Sequence, residues 1–179
     1  MSDKPFETTS VTIPGGTVVV VVDPDDGAVV ASGFGDIDHV FAFLSDAEQA
    51  RGRRAVEPGA DSVRAAVDAL TAYAGGEVDA LDAVVVRQPG GPFMRRAWDE
   101  LRGVRAGETD SYAGLAVRAG SPKAVRAAGQ ACATNKVAPF VPCHRILRTD
   151  GSLGGYAYGL PVKEALLVHE GALRATGLF

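Results

Sequence analysis

A cluster of backbone breakers near the middle of the chain limits its fold more than any other feature. The segment Gln88-Pro89-Gly90-Gly91-Pro92 holds two prolines and two glycines, which regular helices and strands rarely tolerate. The charge balance changes sign at the same point. Residues 1–90 carry 6 Lys/Arg and 15 Asp/Glu, whereas residues 91–179 carry 12 and 7. The sequence therefore predicts two domains, 1–90 and 91–179, of which the second is the better suited to approach a polyanion.

The first 90 residues predict a small α/β domain. Thr17 to Val22 and Ala28 to Phe34 are rich in β-formers, and the linker between them has turn residues throughout, so a β-hairpin is expected. Apolar residues then recur with a helical period from Val63 to Tyr73. A helix is therefore expected, with Asp61 or Ser62 as its N-cap.

Other segments of this half give weaker signals. Residues 1–10 are polar, and we expect them to be loose. Ile37 to Leu44 fits a strand or a helix equally well. Arg51 to Gly59 is expected to be a loop, and Asp79 to Val86 a short strand or an extended connector.

The second half predicts mainly helices. Pro92 can open a helix that buries Trp98 on its apolar face. Tyr112 to Arg118 predicts a short helix capped by Asp110 or Ser111. Gly120 closes it, and Ser121 is expected to cap another helix from Pro122 to about Thr134. Two short helices around a tight glycine turn are typical of a helix-turn-helix, although many helical hairpins share the pattern.

The second of these helices carries almost only small side chains. Ala127 and its neighbours leave Arg126 as the one long side chain in the middle. Such a surface can approach a partner closely, with Arg126 projecting from it. The alternative is a tightly packed core helix with Arg126 on its solvent side.

The segment Val141-Pro142-Cys143-His144-Arg145 is the strongest candidate for chemistry. It holds one of the two cysteines and one of the three histidines, on what we predict to be a β-like segment. Adjacent side chains of an extended segment point to opposite faces, so a relay between Cys143 and His144 through water or a third group is expected. The Gly/Tyr-rich residues 150–159 predict one wall of a flat aromatic pocket, and Cys132 is expected to be a packed thiol.

Composition excludes several classes of protein. No apolar run approaches the ~18 residues of a membrane span, and the N-terminus does not resemble a secretion signal. Two cysteines do not make a disulfide framework, so both are expected to be reduced thiols in a cytoplasmic protein. A zinc site from Cys132, Cys143 and His144 lacks the usual ligand spacing, and no metal is expected.

Several motifs in order resemble the O6-alkylguanine-DNA alkyltransferase family, also called methylated-DNA–protein-cysteine methyltransferases. The resemblance covers about residues 90–171. It rests on Gly91-Pro92-Phe93 with Trp98, Gly107-Glu108-Thr109 with Ser111-Tyr112, Ser121 to Ala127, Asn135, Pro142-Cys143-His144-Arg145, Gly151 to Tyr156, and Lys163 with His169-Glu170-Gly171. It implies an α/β (α+β) protein with a ribonuclease-H-like N-terminal domain and a mainly helical C-terminal domain.

The resemblance also implies an activity. The protein would bind double-stranded DNA through the minor groove and flip out an alkylated guanine, and O4-alkylthymine would be a further substrate. The alkyl group would pass irreversibly to the protein, once per molecule and without a cofactor. The protein would act as a monomer, and the resemblance leaves open whether several molecules bind cooperatively along DNA.

Residue roles follow from the same resemblance. Cys143 would be the alkyl acceptor, and His144 and Glu170 would complete a water-bridged relay that generates the thiolate. Tyr112 would rotate the nucleotide and protonate the departing guanine, and Arg126 would fill the gap in the base stack. The remaining implied residues are Ser121, Lys123, Ala127 and Asn135 on the DNA-binding side, and Ile146, Tyr156, Ala157, Tyr158 and Lys163 around the pocket.

Two departures and three alternatives accompany this interpretation. Ala157 replaces a serine of some members, and Tyr158 replaces a glycine of many, which predicts a narrower pocket. A lesion-binding relative without transfer activity would lack the cysteine. A helix-turn-helix regulator would show base-reading side chains where this chain has alanines. A cysteine hydrolase would need an oxyanion hole, which the sequence neither reveals nor excludes.

Overall fold

The computed structural model describes residues 3–174, which form two compact units. One unit comprises the chain up to Gln88 together with Lys136–Phe140, and the other comprises Pro89–Asn135 and the chain from Val141 onward. The sequence predicted two domains, 1–90 and 91–179. It did not predict that Lys136–Phe140, from the second range, packs with the first unit. No helix among these residues is long and apolar enough to cross a membrane.

The first unit is built on a four-stranded sheet. Its strands are β1 (Phe6–Ile13), β2 (Gly16–Val22), β3 (Val29–Phe34) and β4 (Arg53–Ala55), in the order β3-β2-β1-β4. β2 pairs antiparallel with both β1 and β3, and β4 lies parallel to β1. The hairpin of β2 and β3 confirms the prediction for those residues.

Two predictions for this unit were wrong. The polar N-terminus is not loose, because Phe6–Ile13 forms β1 with alternating exposure on its second half. The predicted loop from Arg51 to Gly59 contains β4. β1 is an internal strand, but polar residues dominate its middle, and β4 is a three-residue edge strand whose partner β1 lies more than 40 positions earlier in the chain, so both give little sequence signal.

The helices of the first unit cover the sheet. They are α1 (Ile37–Phe41), α2 (Asp46–Gln49) and α3 (Asp61–Ala74). The helix predicted from Val63 to Tyr73 is confirmed, but its N-cap is Ala60 and no side chain caps it. Within the segment expected to be a short strand or an extended connector, Ala80–Ala83 form a 3₁₀ turn, and Val86 follows with a parallel bridge to Val29.

The segment Lys136–Phe140 joins this unit beside β3. Ser32 bridges to Val137 in parallel, and its hydroxyl donates to the carbonyl of Ala138 at 2.8 Å. Ser32 is fully buried, so this bond satisfies a hydroxyl that would otherwise be costly inside the core. This segment follows Asn135 of the second unit. The chain rejoins the second unit at Val141, two residues before Cys143.

The second unit is mainly helical, as predicted. Its elements are α4 (Pro92–Arg102), β5 (Asp110–Ser111), α5 (Tyr112–Arg118), α6 (Val125–Ala133), β6 (Ile146–Leu147) and α7 (Leu160–His169). β5 and β6 pair in parallel. Trp98 of α4 is buried, and its indole N–H donates to the carbonyl of Ala131 at 2.9 Å. Trp98 is therefore the core anchor that the apolar stripe predicted.

Candidate active site

A cavity of about 200 Å³ lies inside the second unit. Its walls come from the first turn of α5, the inner face of α6, the turn that carries Cys143, and the loop before α7. The lining residues are Tyr112, Gly129, Cys132, Ala133, Cys143, Gly155, Tyr156 and Ala157. Two thiols, two phenol rings and several residues with little or no side chain therefore face one small space.

The cysteine lies on a helical turn and not on the predicted β-like segment. Cys143–Arg145 forms a 3₁₀ turn, with the N–H of Arg145 donating to the carbonyl of Pro142 at 3.0 Å. Strand β6 begins only at Ile146. Proline before the cysteine favours this outcome, because it fixes the dihedral angles at the entry to the turn.

Asn135 holds the sulfur of Cys143 in place. Its side-chain amide donates to Sγ at 3.2 Å and to the carbonyl of Val141 at 2.7 Å. Burial raises the pKa of the Cys143 thiol, while the hydrogen bond from Asn135 and the positive charge of Lys163 act in the opposite direction. The resting sulfur is therefore a protonated thiol that already has a hydrogen-bond donor in place for the thiolate.

His144 and Glu170 form a fully buried pair. The Nε2 atom of His144 lies 2.8 Å from Oε1 of Glu170. Burial lowers the pKa of His144, against the raising effect of Glu170, so the imidazole is neutral at rest. Burial alone would raise the pKa of Glu170, but its bonds to His144 and Arg145 outweigh that effect and lower it to about 2. The pair is thus a neutral base held by an ionised carboxylate.

The geometry fixes which imidazole nitrogen can act. Nε2 is committed to Glu170 and carries the proton of that bond, which leaves Nδ1 as the basic nitrogen. Nδ1 is buried, and none of the residues in 3–174 offers it a hydrogen bond. It is therefore the atom that can accept a proton.

Arg145 is a site residue that the sequence interpretation gave no role. It is almost fully buried, donates to both oxygens of Glu170 at 3.0 and 2.9 Å, and donates to the carbonyl of Val104 at 2.6 Å. This bidentate pairing explains how a carboxylate stays ionised inside the unit. The only sequence signal was its place directly after Cys143-His144.

Tyr112 is the first residue of α5 and faces the cavity. The hydroxyl of Ser111 caps the helix by accepting from the N–H of Gly114 at 3.0 Å, which confirms one of the two predicted caps. Gly154 packs so closely that a Cβ there would lie 3.2 Å from the Tyr112 hydroxyl, and its φ of +70° also favours glycine. Burial raises the pKa of Tyr112, so the phenol keeps its proton.

The predicted pocket residues divide into a wall and its support. Tyr156 and Ala157 line the cavity, and the ring of Tyr158 packs edge-on against Tyr156 with centroids 5.5 Å apart. Lys163 and Ile146 are fully buried. The ammonium group of Lys163 donates to the carbonyls of Ile146, Leu153 and Gly155, and this fixes the loop to α7.

Four of the predicted DNA-binding residues lie on or just before α6, whereas Tyr112 begins α5 and Asn135 follows α6. The helix begins at Val125, later than the predicted Pro122, and Ser121 does not cap it. Lys123 and Arg126 are exposed, whereas Ser121 and Ala127 are half-buried. Residues 121–124 form a separate turn, in which the carbonyl of Ser121 accepts from the N–H of Ala124 at 2.8 Å. A proline at position 122 permits either arrangement, so sequence alone did not distinguish them.

Comparison with known proteins gives a consistent result. The family model described as "6-O-methylguanine DNA methyltransferase, DNA binding domain" matches residues 92–172. The methylated-DNA–protein-cysteine methyltransferase of Homo sapiens is 53% identical over 57 residues. The crystal structure of the O6-methylguanine methyltransferase of Mycobacterium tuberculosis superposes with a TM-score of 0.73, at 27% identity, over 97% of this chain and 96% of that one. Residues 92–172 are thus similar to the DNA-binding domain of 6-O-methylguanine DNA methyltransferases, and the chain as a whole shares the fold of the M. tuberculosis methyltransferase.

Other alkyltransferase relatives define the extent of this likeness. The bifunctional transcriptional activator/DNA repair enzyme Ada of Escherichia coli (strain K12) is 54% identical over 56 residues, 31% of this chain and 16% of that protein. The human alkyltransferase alignment covers 32% of this chain and 28% of its relative. The chain thus matches less than a third of the length of these curated relatives. A structure of the M. tuberculosis alkyltransferase in complex with DNA matches at 29% identity and a TM-score of 0.74, over 93% of both chains.

The site also contains a residue that the sequence interpretation left out. Cys132 was expected to be a packed thiol, yet it lines the cavity beside Cys143. Within the described part of the chain, no group of His, Cys, Asp or Glu side chains is arranged to hold a metal ion.

Proposed function

We propose that this protein repairs DNA by transferring an alkyl group from the O6 atom of guanine to its own Cys143. One observation carries the proposal: Cys143 faces a small cavity and is followed by His144, whose Nε2 is bonded to Glu170 at 2.8 Å. A thiol nucleophile beside an oriented base is the arrangement that nucleophilic catalysis needs. The DNA-binding relatives supply the substrate class.

The chemical step is a displacement at carbon. The proton of Cys143 passes through a water molecule to Nδ1 of His144, and Glu170 stabilises the resulting imidazolium. The sulfur then attacks the alkyl carbon, a C–S bond forms, and the bond from carbon to O6 breaks. Because the thioether is stable, each molecule reacts once, and no cofactor enters the balance of atoms.

The departing guanine requires a proton. The bond pair of the broken C–O bond stays with the base, and the Tyr112 hydroxyl faces the cavity with its proton retained. Tyr112 would therefore donate to the guanine as it leaves, and would recover a proton from solvent.

DNA binding would use α6 in the minor groove. The alanines of this helix allow close approach, and exposed Arg126 would enter the base stack where the guanine is flipped out. Lys123 and Arg126 would contribute a salt-sensitive attraction to phosphates. The protein would act as a monomer in the cytoplasm, with cooperative binding along DNA left open. O4-alkylthymine would be a second substrate.

Intact mass spectrometry tests this function. Mixing the protein with a duplex that holds one O6-methylguanine should add one methyl group, about 14 Da, on the peptide of Cys143. The matched Cys143→Ser variant should bind the duplex and gain no mass. Binding without a mass change in the unaltered protein would support a lesion-binding protein instead, and neither binding nor transfer would remove the proposal.

A further inference from the structure

The cavity contains a second thiol that alkyl transfer does not use. The chain has two cysteines, both are free, and both line the same space of about 200 Å³. Cys132 projects from α6 and is half-buried, whereas Cys143 lies on the 3₁₀ turn and is buried. Any small molecule that reaches one thiol in this cavity is therefore close to the other.

One residue connects the two cysteines. The backbone N–H of Asn135 donates to the carbonyl of Cys132 at 3.4 Å, and its side-chain amide donates to Sγ of Cys143 at 3.2 Å. Asn135 is itself buried. It therefore keeps the end of α6 beside the cysteine turn.

We propose that Cys132 is the resolving thiol for Cys143, and that hydrogen peroxide converts the two into an intramolecular disulfide across the cavity. The thiol chemistry does not depend on the proposed function. Only its consequence for alkyl transfer does.

The reaction balances in two steps. The sulfur of Cys143 attacks one peroxide oxygen, the O–O bond breaks, and Cys143 becomes a sulfenic acid while one water leaves. The sulfur of Cys132 then attacks that of Cys143, the S–O bond breaks, and the departing hydroxide takes the proton of Cys132 as a second water. Two thiols have lost two electrons, and one peroxide has become two waters.

The disulfide would protect the alkyl acceptor. A Cys143 bonded to Cys132 cannot attack a substrate, but a dithiol reductant restores it. A Cys143 without a resolving partner would continue to the sulfinic acid, which reductants do not reverse. The pair would therefore make oxidation of a single-use protein recoverable.

The test uses the whole protein without DNA. After treatment with hydrogen peroxide and removal of the oxidant with catalase, the unfolded protein is labelled with N-ethylmaleimide and weighed. We expect a loss of about 2 Da, no label on either cysteine, and a disulfide-linked peptide pair that a dithiol reductant separates. A gain of about 32 Da on Cys143 with Cys132 still labelled would overturn the proposal.

A matched variant links the chemistry to recovery. Cys132→Ser keeps the side-chain size, and the transfer of each protein after oxidation is expressed as a fraction of its own transfer before oxidation. After peroxide and reductant, the unaltered protein should recover most of its transfer, and the variant should recover about tenfold less because its Cys143 is overoxidised. Equal recovery of the two proteins would contradict the role of Cys132. Failure of methyl transfer in both untreated proteins would instead count against the proposed function, and the mass measurement would still decide the disulfide.

Discussion

At the scale of single residues, the site separates the nucleophile from its base by one peptide bond. Cys143 and His144 share a 3₁₀ turn, and only His144 contacts Glu170. Asn135 contacts the sulfur, and Arg145 neutralises the carboxylate. Asn135 therefore positions the nucleophile, and Glu170, itself held by Arg145, positions the base.

His144 should be needed for transfer but not for DNA binding. In His144→Gln the side-chain amide can still donate to Glu170, but no base remains at Nδ1. We expect the single-turnover rate of methyl transfer to fall by about 10²–10⁴-fold, the usual contribution of a general base. Rapid-quench kinetics would measure the rate, with duplex affinity and thermal unfolding as controls. A variant that transfers at the normal rate would exclude His144 as the base.

Tyr158 should restrict the size of the alkyl group. Its ring supports Tyr156 from outside the cavity lining, with centroids 5.5 Å apart. Tyr158→Gly would let Tyr156 move outward, so transfer from O6-benzylguanine should rise relative to transfer from O6-methylguanine. Tyr158→Phe keeps the packing and should behave like the unaltered protein. An unchanged ratio in the glycine variant would show that Tyr158 does not set the size limit.

The site could be predicted from sequence in part. Cys143, His144 and Glu170 were identified by resemblance, and the structure brings His144 and Glu170 together as expected. The pairing of Arg145 with Glu170 was not predicted, since it joins residues 25 positions apart and depends on how α7 packs on the cysteine turn. Cys132 was missed because which face of α6 lines the cavity is decided by tertiary packing.

At the scale of elements, long apolar patterns were predictable and short pairings were not. The periodic stripes of α3 and α4 identified both helices from sequence. β1 and β4 were not predicted, because their strand character depends on pairing with each other and with β2. The start of α6 was placed too early, because a proline and a serine occur equally at a cap and in a preceding turn.

The capping of α5 should matter for the position of Tyr112. The Ser111 hydroxyl accepts from the N–H of Gly114 at 3.0 Å, and Tyr112 is the next residue. Ser111→Ala should lower the free energy of unfolding by about 1 kcal/mol, the typical value of a lost N-cap. Urea titration followed by Trp98 fluorescence would measure it. Ser111→Asp, which can also cap, should stay near the unaltered stability, and equal losses in both variants would contradict a capping role.

Helix α6 should act on duplex DNA and not on the chemical step. Arg126 is exposed and does not line the cavity. Arg126→Ala should therefore slow transfer from a duplex, by about 10–100-fold if it offsets part of the few kcal/mol of base flipping. Transfer from free O6-benzylguanine should be unaffected. Arg126→Lys tests whether charge alone suffices, and equal slowing on both substrates would contradict the insertion role.

At the scale of the whole molecule, charge and chemistry are found in the same part of the sequence. The acidic balance of residues 1–90 and the basic balance of residues 91–179 place most of the cations in the part of the chain that also carries Cys143. A polyanion would therefore be attracted to the half that holds the cavity. The buried pair of His144 and Glu170 lies in the same half, so the stability of the second unit should depend on pH.

Acid should destabilise the second unit through that pair. Burial lowers the pKa of His144 below its ordinary 6.5. As the pH falls, the unfolded chain therefore takes up the proton before the folded one does. The free energy of unfolding consequently decreases as the pH falls below about 6.5. Bonds to His144 and Arg145 lower the pKa of Glu170 from 4.5 to about 2. Its contribution is therefore complete above pH 4.5 and is lost as the pH falls from there toward 2.

Trp98, the single tryptophan, lies buried in the second unit and can report on that unit even if the two units unfold separately. Urea titrations by Trp98 fluorescence should give a free energy of unfolding that is highest above pH 6.5, declines from there to pH 5, and declines further below pH 4.5. In His144→Gln the decline between pH 6.5 and 5 should be weaker, because the buried imidazole is gone, while the decline below pH 4.5 should remain. A free energy that rises as the pH falls from 7.5 to 6.5 in the unaltered protein would mean that folding raises the pKa of His144 and that the imidazole is already protonated in the folded unit. The resting site would then hold an imidazolium beside Glu170, and His144 could not accept the proton of Cys143.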